Sequence, residues 1–237
     1  IELGIDDFAH GALTMSDFAG NKKPDECPPN IWGILDTAIT DKGPIATPLI
    51  DLMVKKKVSM TTTMPVYEAF YPKRPVTDER TLELMTGEVR EAYLKDRAFI
   101  DSSKVWPFTE QGFQRALSFD RAFFAAGGVL ASGVDPTGNG GALPGFGDQR
   151  AYELLLEAGL TAEQAVQVVT LNGAKVLGEA AKVGSVEKGK RANLVLLDGD
   201  LAKDGAVIRK AVTVFKDGVG YDSAKLIADT KGRVGIN

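Results

Sequence analysis

Asp135 stands where a carboxylate can do chemistry. It follows a short apolar run over residues 129–134. It also opens the stretch Asp135-Pro-Thr-Gly-Asn-Gly-Gly141, so rich in glycine that its backbone can fold closely around a ligand. A run of that length behind Gly127-Gly128 reads as a strand buried on both faces, as in a parallel sheet. Asp135 would then sit at the strand's C-terminal end, where barrel and open α/β enzymes place their reactive groups. Asp-Pro also caps turns, and spacing alone leaves both uses open. His10, the only histidine, follows a strand candidate at residues 5–9 in the same way. A lone histidine beside apolar residues is either a satisfied core or surface side chain or a metal ligand, since neutral imidazole is the commonest such ligand. Cys27, within Glu-Cys-Pro-Pro, has no histidine beside it to make it a nucleophile.

The chain that must position these groups has 237 residues, enough for one large domain or two small ones. It is 44% hydrophobic and 25% charged, ordinary usage for a soluble globular protein. A net charge of −4 argues against nucleic acid or an anionic membrane as the main partner. No apolar run approaches the roughly 20 residues of a membrane span. A single cysteine excludes an internal disulfide framework. It leaves the compartment open between the cytoplasm and a periplasmic or secreted location after processing. The chain begins Ile1-Glu-Leu-Gly4, which reads as the last turn of a helix closed by glycine. An upstream segment is therefore expected: absent from this sequence, removed, or held on another chain.

In chain order, residues 13–44 carry four prolines and read as a long excursion with a turn of helix near residues 31–39. Thr47-Pro48 predicts a helix start, with the hydroxyl as N-cap and Pro at the first helical position. Lys55-Lys-Lys57 suits the negative end of that helix. Residues 58–63 are β-branched and predict a second strand. An aromatic and proline-rich loop over residues 66–77 follows, with Tyr67, Phe70 and Tyr71 free either to wall a pocket or to pack. Helical patterns cover residues 77–99, 109–126 and 148–158. The second has a wide apolar face of Phe113, Ala116, Leu117, Ala122, Phe123 and Phe124. Thr161-Ala-Glu-Gln164 is a capping box behind Leu160. The pattern then changes to short strands at residues 183–189, 192–198 and 211–215, a hairpin signal at Lys216-Asp-Gly218, and a turn of helix near residues 223–229.

From Gly133 to its end the chain resembles the metal-dependent amidohydrolase superfamily, in its imidazolonepropionase/prolidase-like branch. The matching pieces are Ser132-Gly-Val-Asp135, the glycine loop to Gly147, Glu153-Leu-Leu-Leu-Glu-Ala-Gly-Leu-Thr161, Thr170-Leu-Asn-Gly-Ala174 with Leu177-Gly178, and Val183 through Asp198. Asp6-Asp-Phe-Ala-His-Gly11 is similar to the family's sixth barrel strand. The resemblance implies an α/β fold: strands six to eight of a (β/α)8 barrel over residues 1–178, then a segment of a small β-sandwich and a tail over residues 179–237. It implies His10 and Asp135 as metal ligands, with Asp135 also shuttling the proton. One or two divalent ions are implied, zinc foremost, although His and carboxylate also suit manganese and iron. The pocket would be lined by Tyr67, Phe70 and Tyr71 after strand seven and by Asn139, Leu143 and Phe146 after strand eight.

Two departures bear on that implication. The family's Gly-Thr-Asp is Gly133-Val134-Asp135 here, which removes a hydroxyl near the metal. The other histidines of the family's site cannot be present, because His10 is the sole one. A metal needs three or more protein ligands and this chain offers two. The expectation is a hydrolase of amide or small peptide-like C–N bonds, complete only with a polypeptide that supplies strands one to five, upstream or on another chain. A homo-oligomer is compatible with this. The competing expectation is a non-catalytic scaffold or assembly subunit built on a barrel half.

Overall fold

The computed structural model describes residues 1–20, 22–26, 28–74, 77–137 and 141–235. Three short strands, β1 (Asp7–Ala9), β2 (Ser59–Thr62) and β3 (Leu130–Ser132), form a parallel sheet in chain order. Asp7 pairs with Ser59 and Ala9 with Thr61, while Met60 pairs with Leu130 and Thr62 with Ser132. Met60 and Leu130 are fully buried, as strands covered on both faces require.

Between β1 and β2 lie two 3-10 turns (Gly11–Thr14 and Ser16–Phe18), then α1 (Ile31–Ala38) and α2 (Ala46–Lys56). Helix α2 starts one residue before the expected cap. Thr47 lies inside it and turns its hydroxyl back to accept from the Gly43 N–H at 3.1 Å. Between β2 and β3 come α3 (Met64–Glu68), α4 (Glu79–Leu82), α5 (Gly87–Ser102) and α6 (Glu110–Ala125). The stretch expected to be a loop from residue 66 thus opens as a helix. Pro65 sits in its first turn, where a missing N–H costs nothing. The pattern over residues 77–99 divides because the Thr86 hydroxyl accepts from the Val89 N–H and begins a new helix. Met85, just before it, bridges to Val234.

Helix α6 begins at Thr109, whose hydroxyl caps the Gly112 N–H. The Asp36 carboxylate holds Thr109 in turn, accepting from its backbone N–H at 3.0 Å and its hydroxyl at 2.7 Å. Phe113, Phe119 and Phe123 are fully buried, and with Tyr152, Leu13 and Met15 they fill the main core.

After β3 come α7 (Phe146–Glu157) and α8 (Ala162–Gln167), the latter opened by the expected capping box. Thr161 accepts from the Gln164 N–H while the Gln164 side chain accepts from the Thr161 N–H. A π-helical turn (Val168–Asn172) and α9 (Gly173–Val176) follow. Residues 183–189 form turns instead of the expected strand, because Gly184 and Gly189 both take left-handed backbone angles. A second, antiparallel sheet is built from β4 (Leu194–Leu197), β5 (Ala211–Lys216) and β6 (Val219–Asp222), with Asp217-Gly218 as the tight hairpin turn, and α10 (Ser223–Thr230) closes the order. No helix among the described residues is long and apolar enough to cross a membrane.

Candidate active site

Strands β1, β2 and β3 are parallel, so their C-terminal ends lie on one side of the sheet, and His10, Thr63 and Asp135 follow those ends. The His10 N–H donates to the Thr61 carbonyl at 2.9 Å and the Gly133 N–H to the Thr62 carbonyl at 2.8 Å. Both outer chains are thereby fixed to the end of β2. Immediately beyond these bonds His10 and Asp135 adopt left-handed backbone conformations, φ 71° and 48°. Such angles are uncommon for residues with a side chain and cluster at functional sites.

The two side chains meet. His10 Nδ1 lies 3.5 Å from Asp135 Oδ2 and 2.9 Å from the Thr63 hydroxyl. Both are about one-third exposed, which suits groups that must reach solvent or a ligand. Asp135 Oδ1 also accepts from the Thr137 hydroxyl at 3.0 Å. Tyr67 stands edge-on to the imidazole with ring centroids 5.9 Å apart. Burial, and then the Asp135 carboxylate, push the Tyr67 phenol up to about 12, so it remains a neutral donor.

The donor set fits part of a metal shell. An imidazole and a carboxylate this close can share one ion, whose ligands sit about 2.0–2.2 Å from it. Nδ1 is the ring nitrogen that faces Asp135, and it also meets the Thr63 hydroxyl, which orients the ring. Among the described residues no group of three or more His, Cys, Asp or Glu could hold an ion, so the pair fills two positions and the rest need donors from elsewhere.

The other expected pocket residues divide. Tyr67 and Phe70 pack against a small cluster of Val66, Val134 and Ala142 beside the pair. Val134, the departure from the family pattern, faces Gly147, where a Cβ would come within 2.4 Å of its methyl. Tyr71 is fully buried between Phe108 and Phe113, in the core and not on a pocket wall. The sequence alone groups it with Tyr67 in one aromatic loop. The close of α3 turns it the other way. Leu143 joins Leu82, Met85 and Tyr93. Phe146 lies under the Arg80 guanidinium at 5.2 Å, in a cavity of about 60 Å³ whose lining contains neither His10 nor Asp135. Asn139 and Cys27 fall outside the described residues.

Sequence reasoning missed the charged groups beneath this surface. Arg74 makes paired bonds to Glu157, at 2.7 and 2.8 Å, and both its Nε and Nη2 reach Glu68. Arg150 joins Glu68 to Glu153, and Arg209 joins Glu153 to Asp78. Burial works to raise the Glu153 and Glu157 carboxyls, but hydrogen bonds from Arg209 and Arg150 to the first, and from Arg74 and Gln114 to the second, outweigh it and hold both below the usual range. The i, i+3, i+7 spacing of Arg150, Glu153 and Glu157 was the available signal. Asp120 was missed too, although it interrupts the apolar face of α6 between Leu117 and Phe123.

Residues 113–229 match the amidohydrolase family. Over that segment, just under half of its length, the chain is similar to the amidohydrolase superfamily. It is 30% identical over 106 residues to an imidazolonepropionase of Clostridium tetani, an alignment covering 41% of this chain and 24% of the relative. Over 85 residues it is 35% identical to a 5-methylthioadenosine/S-adenosylhomocysteine deaminase of Moorella thermoacetica, covering 33% and 20%. The fold is similar to the crystal structure of an amidohydrolase, with TM-score 0.56, 17% identity and coverage of 93% of this chain and 40% of that one. A Xaa-Pro dipeptidase structure gives 0.55, 17%, 94% and 41%. The chain thus spans about two-fifths of the solved structures and about a quarter or less of the curated relatives.

Proposed function

We propose that this chain is the C-terminal part of a metal-dependent hydrolase of carbon–nitrogen bonds. In this reading β1, β2 and β3 are the sixth to eighth strands of a (β/α)8 barrel over residues 1–178, and residues 179–237 are a β-sandwich segment and tail. One observation carries it: His10 and Asp135, 125 residues apart in sequence by their numbers, meet at 3.5 Å beyond the ends of adjoining parallel strands. The superfamily match supports the class of chemistry, as do the names of the imidazolonepropionase and deaminase relatives.

His10 and Asp135 would hold a divalent ion, zinc foremost, which when bound acidifies a water and polarises a carbonyl. The residues of this chain do the rest. Thr63 fixes the His10 ring through Nδ1. The Asp135 carboxylate accepts the water's proton and returns it to the leaving nitrogen, the two halves of general acid–base catalysis. Tyr67, neutral and edge-on to the imidazole, faces a small-molecule amide substrate. The remaining ligands and strands one to five come from further polypeptide, upstream or separate, and Asn139 stays assigned to the substrate rim.

Metal analysis of the assembled protein should find one to two divalent ions per barrel. Asp135→Asn should abolish turnover with the fold intact. An assembled protein that is metal-free and hydrolyses no amide, ester or lactone refutes this reading. The second reading, a non-catalytic scaffold, is favoured by the two-ligand count among the described residues. Native mass spectrometry separates them, since a stable metal-free 25.3 kDa monomer supports the scaffold.

A further inference from the structure

The carboxyl of Asp120 has no place in the chemistry above, yet it lies directly behind it. It projects from the middle of α6 into the core and is 1% exposed. Its Oδ2 is 2.6 Å from the Thr62 hydroxyl, while its Oδ1 is buried with no hydrogen-bond partner. Oδ1 is also 3.1 Å from where a Cβ on Gly11 would be, so only glycine fits there comfortably. Thr62 is the neighbour of Thr63, which holds the His10 ring, and Gly11 is the neighbour of His10 itself. One side chain therefore bears on both chain segments that present the imidazole. The cavity beside it, about 10 Å³, has room for at most a single water. Its lining includes Thr62, Met64, Leu117, Ser132, Leu154 and Leu155, and no ionisable group other than Asp120. Of the charged groups on the helices packed around α6, Asp36 is occupied at its first turn and Glu157 with Arg74 and Gln114. The lysines of α2 are exposed.

We propose that Asp120 is a positioning residue: a neutral carboxylic acid that, through Thr62 and Gly11, sets the approach of the His10 ring to Asp135. The proposal rests on the reading of His10 and Asp135 as the active pair. A buried carboxyl with a single hydroxyl partner and no cation nearby is held neutral by desolvation, and its carboxyl moves up to about 7. Ionisation above that pH puts an uncompensated charge against Gly11 and Thr62, and the strand ends must shift to let water reach it.

His10 is the only imidazole, so its ring signals in the 15N-labelled full chain need no assignment. Thr62→Val and Asp120→Leu are expected to displace both ring nitrogens at pH 6 with circular dichroism unchanged. Asp120→Asn, the isostere of the neutral acid, should return them to their wild-type positions. In the assembled enzyme, Thr62→Val should lower kcat about tenfold at nearly constant KM, the usual scale for residues that orient a ligand. Asp120→Asn should keep the rate and abolish its decline between pH 7 and 8. Ring signals of Thr62→Val that superimpose on the wild type overturn the proposal, as does a pH profile indifferent to Asp120→Asn. If Asp120→Leu does not fold, Thr62→Val decides. If the wild type turns over nothing, the functional reading fails and the ring signals still test the positioning.

Discussion

Replacing Asp120 with asparagine should make the protein more stable at neutral pH, against the usual direction for a buried substitution. In the folded chain the carboxyl is fully enclosed, and burial, opposed only by the Thr62 hydrogen bond, lifts it from 3.8 to about 7. In the unfolded chain it ionises near 3.8. Between those values the folded state holds a proton that the unfolded state has released. Stability therefore falls as pH rises. The loss begins near pH 4, steepens towards roughly 1.4 kcal/mol per pH unit, and is complete just above pH 7, where it totals on the order of 4 kcal/mol. Asparagine keeps the shape and an acceptor for Thr62 but does not titrate. The assay is urea unfolding of wild type and Asp120→Asn from pH 4 to 8. The stability difference should be near zero at pH 4 and grow in favour of the variant. A difference that stays flat across that range refutes the reasoning, because it would mean Asp120 is charged in the folded protein.

Four further outcomes follow from the packing. Gly112→Ala places a Cβ about 1.8 Å from the Asp36 carboxylate, which already holds Thr109, and should cost about 3 kcal/mol in chemical denaturation. Arg74→Met removes one of the two cations on Glu68, which is almost fully buried and keeps Arg150, and should cost about 1.5–3 kcal/mol in chemical denaturation. Thr161→Ala deletes a reciprocal helix cap and should lower stability by about 1 kcal/mol. Glu153 and Glu157 are held below their ordinary range, so their contribution is present above pH 4.5 and lost as pH falls through the lowered folded values. Thermal melting should show that loss, and Glu153→Gln should reduce it.

The local sequence was enough for elements whose signal is periodic or capped within a few residues. The apolar face of α6, the reciprocal cap at Thr161 and the Asp217-Gly218 hairpin were each legible, because the groups that define them are neighbours along the chain. Boundaries set by a distant partner were not. The division between α4 and α5 needs the Thr86 cap and the bridge from Met85 to Val234. Helix α3 opens at Met64, with Pro65 in its first turn, and runs into residues that the sequence reading gives to a loop. Tyr67 and Tyr71, four residues apart, look equivalent in a list of aromatic residues, yet one stands beside the imidazole and the other fills the core.

The site shows the same split. Residue types and the loop after β3 singled out Asp135, and the count of one histidine singled out His10. Their separation of 3.5 Å, the Thr63 hydroxyl between strand and ring, and the buried acid behind them exist only because three parallel strands end on the same side of a sheet. Hydrophobic periodicity records which face of an element is buried. It carries no information about which ionisable groups are then enclosed together, and burial and proximity are what set the charge of Asp120 and bring His10 to Asp135.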